Sequence, residues 1–293
     1  MRKAVISVKG LSKSIKKKDI LHDISFEVHA GDCLALIGPN GAGKTTLMNC
    51  LLGDLKASAG LITVLDKKPD ASLLKEKVAV LFQDNLTETG LRVQELLDFQ
   101  KAIYKNPLSD KAIDAILRFS KEQKEQFAEK LSGGQRRLLA FVQLLIGQPD
   151  ILILDEPTSG MDTTTRKRFW EIIADLKLAG KTIIYSSHYI EEVEHTADRI
   201  LVLHRGKLLR DTTPYAMRRE DREKCFTLPK LFSTAIDRSQ VYDYEEGLDR
   251  VSFATREAEL VWQDLQAAGL SIDEVEVTNR TLLNSIFAEA GEE

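Results

Sequence analysis

Long apolar runs are missing from this 293-residue chain. No stretch approaches the roughly 18 consecutive apolar residues that a membrane span needs, so a spanning helix is excluded. No secretory leader is expected from the opening MRKAVISVKG, which sets only five uncharged residues between Lys3 and Lys9, too few for a signal peptide. Cysteine is scarce and odd in number. Cys33, Cys50 and Cys225 lack metal-ligand spacing, which predicts reduced thiols and a cytoplasmic home. An excess of one charge is also lacking. The net charge is −4, far from the strongly basic balance of a nucleic-acid-binding domain. That charge is unevenly spread, however. Residues 214–293 carry nine basic and seventeen acidic residues, a balance of −8, and residues 1–213 carry 32 and 28, a balance of +4. The shift predicts a boundary near Pro214. At 43% hydrophobic and 29% charged, the chain can bury a real core and is long enough for one large domain and a smaller one.

What is present is led by the stretch from Leu34 to Thr46, LALIGPNGAGKTT. Cys33 to Ile37 is an apolar run of the length of a strand buried in a parallel sheet. It feeds Gly38, Pro39, Asn40, Gly41, Ala42, Gly43, Lys44 and Thr45, a full match to G-x-x-x-x-G-K-[ST]. Thr45 to Leu52, beginning with Thr45 and Thr46, reads as a helix closed by Gly53. Glycines let main-chain N–H groups wrap an anion at the positive end of a helix. Lys44 would reach the β- and γ-phosphates, and the Thr45 hydroxyl would hold Mg²⁺. The pattern predicts a nucleoside triphosphate site.

Taken in order, Ala4 to Val8 reads as a strand, Lys16 to Lys18 as a solvated turn, and Ile24 to Val28 as an antiparallel strand with one wet face. Leu61 to Leu65 and Val78 to Phe82 read as further strands, the second delivering Gln83 at its carboxyl end. From 84 to about 128 the pattern is helical, marked by Val93, Leu96, Leu97 and Ile103, then by Ile113, Ile116 and Leu117. With the helix that follows, this predicts a helical insertion over about 84–145. Leu131 to Gln135, LSGGQ, opens that helix. Ser132 and Gln135 have capping-box spacing, but Gly133 and Gly134 are poor helix formers. Two glycines there suit a close approach to the backbone and a second anion site.

Ile151 to Leu154 is a buried strand ending in Asp155-Glu156-Pro157. Carboxylates at such a strand end lie where ligands bind in open α/β sheets, and the Asp matches the Mg²⁺-holding acid of phosphate-loop NTPases. Phe169 to Leu176 has helical spacing ended by Gly180. Thr182 to Tyr185 is a strand with His188 just beyond its end, and 200–209 reads as a closing hairpin. After Pro214 the pattern changes to a small α+β module. Strands are expected near 251–254 and 275–277, and helices near 257–268 and 282–288. The predicted class is α/β: a phosphate-loop NTPase sheet core with an antiparallel β subdomain and a helical insertion over residues 1–213, then the accessory module over 214–293.

In their order and spacing, GPNGAGKTT, Gln83, LSGGQ, ILILDEP, SGMD and His188 resemble the nucleotide-binding subunit of an ATP-binding cassette (ABC) transporter, over about residues 3–213. The resemblance implies ATP and Mg²⁺ as ligands, with Gln83 sensing Mg²⁺ beside Thr45 and Asp155. It implies Glu156 as general base, His188 as the switch histidine on the γ-phosphate, and Asp162 in a loop across a dimer interface. Ser132, Gly133, Gly134 and Gln135 would contact the γ-phosphate held by the other subunit, so that two chains, head to tail, sandwich two nucleotides. One position departs from the family pattern: Ile15 stands where an aromatic usually stacks on adenine, which implies loose base discrimination. The tail is similar to those of bacterial exporter-type subunits of the drug, antibiotic or ABC-2 kind.

The leading expectation is thus an ATPase that drives transport, as an exporter, through a permease on a separate chain. It would act as a homodimer or a heterodimer, peripheral on the inner face of the membrane, with no nucleic acid bound. The rival is a soluble cassette ATPase that scaffolds assembly or acts on nucleic acid or ribosomes, but there is no second cassette, long coiled coil or basic domain. A metabolic phosphoryl-transfer enzyme would leave LSGGQ without a purpose.

Overall fold

Alternation of apolar and polar residues folds the first thirty positions into a hairpin. The computed structural model describes residues 3–83, 90–220 and 223–279, and the chain divides into two units, Met1–Thr212 and Thr213–Glu293. In the first unit, β1 (Ala4–Ile15) pairs antiparallel with β2 (Lys18–His29). Lys16 and Lys17, both with positive φ, form the two-residue turn. Ser25 and Glu27 face solvent while Phe26 and Val28 are buried, which is the one-wet-face strand expected there. Both strands run well past the expected 4–8 and 24–28. Register shifts around Leu11 and Lys13, beside Gly10 at φ +61°, bulge β1, and a bulge breaks the period of two by which a strand is read.

The core follows from runs that are apolar on both faces. In chain order come β3 (Cys33–Ile37), α1 (Lys44–Leu52), β4 (Ala59–Val64) and β5 (Val78–Leu81). The insertion carries α2 (Val93–Ile103), α3 (Asp110–Leu117), α4 (Lys121–Glu125) and α5 (Gly133–Leu145). Then follow β6 (Ile151–Leu154), α6 (Thr163–Leu178), β7 (Thr182–Ser187), α7 (Ile190–Thr196), β8 (Arg199–His204) and β9 (Lys207–Thr212). One sheet has the order β5-β6-β7-β3-β8-β9, parallel except for the β8–β9 hairpin, which turns on Arg205 and Gly206. Every residue of β3, β6 and β7 is buried, as a sheet covered on both faces requires. A second sheet, β2-β1-β4, is antiparallel. The parallel strands deliver Gly38, Gln83, Asp155 and His188 just past their carboxyl ends, at one edge.

The insertion buries Val93, Leu96 and Leu97 of α2, and Ile113 and Leu117 of α3. Ile103, expected on the same stripe as Val93, is 58% exposed, because the last turn of α2 turns its apolar side outward. The start of the expected insertion, 84–89, lies outside the described residues.

The second unit contains α8 (Pro214–Glu220), β10 (Lys224–Pro229), β11 (Tyr242–Glu246), β12 (Arg250–Thr255), α9 (Ala258–Ala267) and β13 (Glu276–Asn279). Its antiparallel sheet has the order β11-β12-β10-β13. Val261 and Leu265 of α9 pack on Phe226, Leu228, Val251 and Phe253, with the two Phe rings stacked 5.5 Å apart. Strands and helix appear near 251–254, 275–277 and 257–268 as expected. The expected helix at 282–288 lies outside the described residues. Strands β10 and β11 are additions that the sequence pattern did not announce. Among the described residues, no helix is long and apolar enough to cross a membrane.

Candidate active site

The site begins where β3 runs out. Gly38 must be glycine, because a Cβ there would lie 2.1 Å from the main-chain oxygen of Leu203. Gly43 holds φ +104° as the N-cap of α1, where a Cβ would meet Leu21 Cδ2 at 2.7 Å. Such φ values favour glycine. No side chain caps α1, so its first N–H groups, which have no partner inside the helix, point their positive dipole end at the loop. Lys44 is only 7% exposed and folds back, its Nζ donating to Gly38 O at 2.7 Å and Pro39 O at 3.2 Å. Burial lowers its pKa, and the nearby Glu156 and Asp155 carboxylates oppose that shift. Helix α1 ends at Gly53 in the left-handed conformation expected of it.

Asp155, at the end of β6, is buried and engaged on both oxygens. Thr45 Oγ1 donates to its Oδ2 at 2.8 Å, and Ser186 Oγ donates to its Oδ1 at 2.5 Å. One carboxylate thus joins the loop, β6 and β7. Glu156 follows at φ +44°, a region rarely occupied by a residue with a side chain. Its N–H donates to Ser186 Oγ at 2.8 Å, which holds that backbone in place. Two groups meet the Glu156 carboxylate: Gln83 Nε2 at 3.4 Å and His188 Nδ1 at 3.4 Å. Residues 38–41 and 43–46 line a cavity of ≈ 790 Å³ together with Gln83, Glu156 and His188. Ala42, the remaining position of the expected loop, is buried behind it.

The oxygens of Thr45 and Asp155 suit a hard cation. No group of three or more His, Cys, Asp or Glu that could hold a metal ion is found among the described residues. Two further residues line the cavity that the motif reading did not single out, Lys18 and Ile20 of β2. Ile15 does not line it. It pairs with Lys18 at the hairpin end and is 38% exposed. No motif marks Lys18 or Ile20, since only the fold of the hairpin over the loop brings them there.

The LSGGQ segment stands apart from that cavity's lining. Ser132 caps α5, its Oγ accepting from Gln135 N–H at 3.2 Å while Gln135 Oε1 accepts from Ser132 N–H at 3.1 Å. The capping box is therefore formed. A Cβ on Gly134 would sit 3.2 Å from Asp162 Oδ2 and 3.3 Å from Met161 Cα, whereas one on Gly133 would meet nothing nearer than Gly160 O at 3.9 Å. The close approach to Gly134 is thus made by the chain's own 160–162 loop, and only Gly133 has open space. Asp162 caps α6, accepting from Thr165 N–H at 3.0 Å and Thr165 Oγ1 at 2.7 Å. These bonds hold its carboxyl below the usual range.

Known proteins resemble this chain in sequence and in fold. Residues 21–159 match the sequence profile of the ABC transporter family. A Nod factor export ATP-binding protein I from Rhizobium sp. (strain N33) is 37% identical over 223 residues, 74% of this chain and 73% of the relative. The protein of that name from Bradyrhizobium diazoefficiens is 36% identical over the same shares of the two chains. Among solved structures, cbiO1 from Clostridium perfringens, described as part of the ABC transporter complex cbiONQ, is 28% identical with a TM-score of 0.65. It covers 74% of this chain and is itself covered over 91%. The dimeric, ADP- and Pi-bound ATP-binding cassette MJ0796, at 21% identity and a TM-score of 0.63 over 71% of this chain and 98% of that one, shares the fold. With its phosphate loop, acidic strand end and LSGGQ helix in this order, the chain belongs to the ABC transporter family as an ATP-binding subunit, a transport-coupled ATPase.

Proposed function

We propose that this chain hydrolyses ATP as a head-to-tail pair and thereby powers export through a separate membrane permease. The observation that carries the reading is the separation of two glycine-rich helix ends. The Lys44 loop shares its cavity with Gln83, Glu156 and His188, and Ser132–Gln135 lines none of it. A second nucleotide-binding chain placed head to tail would bring its Ser132–Gln135 over this cavity, with Asp162 beside it. The export sense follows the Nod factor export relatives.

Within the site each residue has a task set by its surroundings. The main-chain N–H groups of residues 38 and 40–46 wrap the phosphates, and Lys44 exchanges its bonds to Gly38 O and Pro39 O for phosphate oxygens. Mg²⁺ held by Thr45 and Asp155, with Gln83 nearby, would neutralise charge on the β- and γ-phosphates. Glu156 takes the proton of the attacking water, and the products are ADP and inorganic phosphate. Gln83 and His188 hold that carboxylate in place from two sides, and His188 lies where it can also meet the γ-phosphate. Positioning and charge, rather than covalent chemistry, do the catalysis.

A membrane partner would dock beside the Gln83 strand end. A groove of ≈ 430 Å³ beside the Gln83 strand end is lined by Leu51, Leu52, Leu74 and Phe82 among others. Phe82, 40% exposed, adjoins Gln83. A permease segment seated there would touch the strand end that carries Gln83, and would hold the chain on the cytoplasmic face of the membrane. Two measurements test the proposal together. Hydrolysis per chain should rise with chain concentration, and the chain should sediment with membranes when co-expressed with its permease. Dilution-independent turnover by a chain that stays in the supernatant would overturn it.

A further inference from the structure

The residue that ties the hydrolytic strand ends together comes from the insertion. Arg137 lies one turn along α5 from Gly133, is 8% exposed, and reaches five main-chain carbonyls. Its Nε donates to Pro157 O at 3.2 Å. Its Nη1 donates to Phe82 O and, at 2.9 Å, to Gln83 O. Its Nη2 donates to Asp155 O at 2.8 Å and Glu156 O at 3.2 Å. A guanidinium is a rigid planar fork of donors, and burying it is tolerated only when those donors are satisfied. Here the fork spans the ends of β5 and β6 and grips the main chain directly beneath Gln83 and Glu156.

We infer that Arg137 is a positioning residue for hydrolysis. It fixes the two backbone segments whose side chains meet at 3.4 Å, and so sets the general base against the attacking water. It also anchors α5, whose first residues are the Ser132–Gln135 segment, to the same chain's own base. The end of α5 proposed to close on a partner's nucleotide and the arginine that grips the turn of this chain's Glu156 therefore lie on one helix, Gly133 and Arg137 being four residues or about 6 Å apart along it. This inference rests on the ATPase reading and deepens it. Lysine cannot replace the fork, since a single ammonium cannot bridge both strand ends as a planar guanidinium does. Methionine removes every donor while keeping an unbranched stem.

The test compares Arg137→Met and Arg137→Lys, each alone and combined with Glu156→Gln, in the full chain with Mg²⁺ and ATP. ATP affinity is read by titration and chemistry by single-turnover hydrolysis. A displacement of about 1 Å can cost about 10²-fold in rate, so Arg137→Met is expected to lose about 10²-fold in rate while its ATP Kd changes less than about threefold. Arg137→Lys should fall between wild type and Arg137→Met. In the Glu156→Gln background, Arg137→Met should cost almost nothing more, because the group it positions is already disabled. A merely structural arginine would instead multiply its full effect into the double variant, and that result, or an unchanged rate in Arg137→Met, overturns the inference. If Arg137→Met does not fold, Arg137→Lys carries the same comparison. A wild-type chain without ATPase activity would overturn the functional reading itself, before any variant is compared.

Discussion

Two helix N-termini in this chain look alike as sequence and differ as chemistry. Both are glycine-rich and both open a helix packed on the sheet. The one at α1 has Gly43 at φ +104° as its N-cap, no side-chain cap, and a buried lysine as its first residue. The one at α5 has Ser132 as its N-cap in extended conformation, a closed capping box with Gln135, and Gly134 pressed on Asp162. The two arginines that follow are turned away to main-chain carbonyls, Arg136 to Glu129 O and Arg137 to the strand ends. The first end is left open for an anion and supplied with a cation. The second is already satisfied by its own side chains and brings only dipole and N–H groups. The difference suits one end that holds a triphosphate and another that completes a site held elsewhere.

The comparison can be broken from either side. Glu156→Gln removes the proposed base from the first site and leaves its phosphate cradle intact, so turnover should fall by about 10²–10⁴-fold with ATP still bound. On size exclusion this variant should accumulate as an ATP-loaded dimer, and near-normal ATPase activity would remove Glu156 from the chemistry. A smaller and more selective effect separates the two helix ends. Lys44→Ala should weaken ATP binding in the monomer, since it deletes the charge on the β- and γ-phosphates. Ser132→Arg should leave monomer binding unchanged and abolish ATP-dependent pairing. Pairing that survives Ser132→Arg would reduce the second helix end to a cap. The smallest effect lies at the base. The hairpin adds Lys18 and Ile20 to the cavity lining and no aromatic ring, so ATP and GTP should bind within about tenfold of each other, or about 1.4 kcal/mol. Stacking is worth about 1–3 kcal/mol where a ring meets a base squarely. Because Ile15 sits outside that lining, Ile15→Tyr should tighten ATP at the low end of that range. Parallel titrations of both nucleotides check this, and a preference for ATP well beyond tenfold would mean that another group reads the base.

How far the sequence could be read follows from which forces act locally. The β3–loop–α1 unit was legible because a fully buried strand is a continuous apolar run and its loop needs glycine at fixed places, Gly38 for space and Gly43 for φ. The ends of β1 and β2 were not, since bulges near Gly10 and Lys13 break the alternation. In the second unit, β11 is Tyr-Asp-Tyr-Glu-Glu, mostly exposed, and its strand state comes from pairing with β12 rather than from its own pattern. Glycines 133 and 134 imply a close approach to the backbone, and at Gly134 the group that approaches is the chain's own 160–162 loop. Arg137 was invisible for a similar reason. An arginine within a helical run reads as a solvated face, and only the tertiary fold places it under two strand ends.

The backward fold of Lys44 bears on timing. Its ammonium sits inside the loop, bonded to Gly38 O and Pro39 O, and so ties the two ends of the cradle together. Nucleotide arrival then exchanges one set of acceptors for another and leaves little chain to order, which removes one of the main entropic costs of association. Sites that need no conformational change capture ligands faster than those that do. Loading of this loop should therefore be quick.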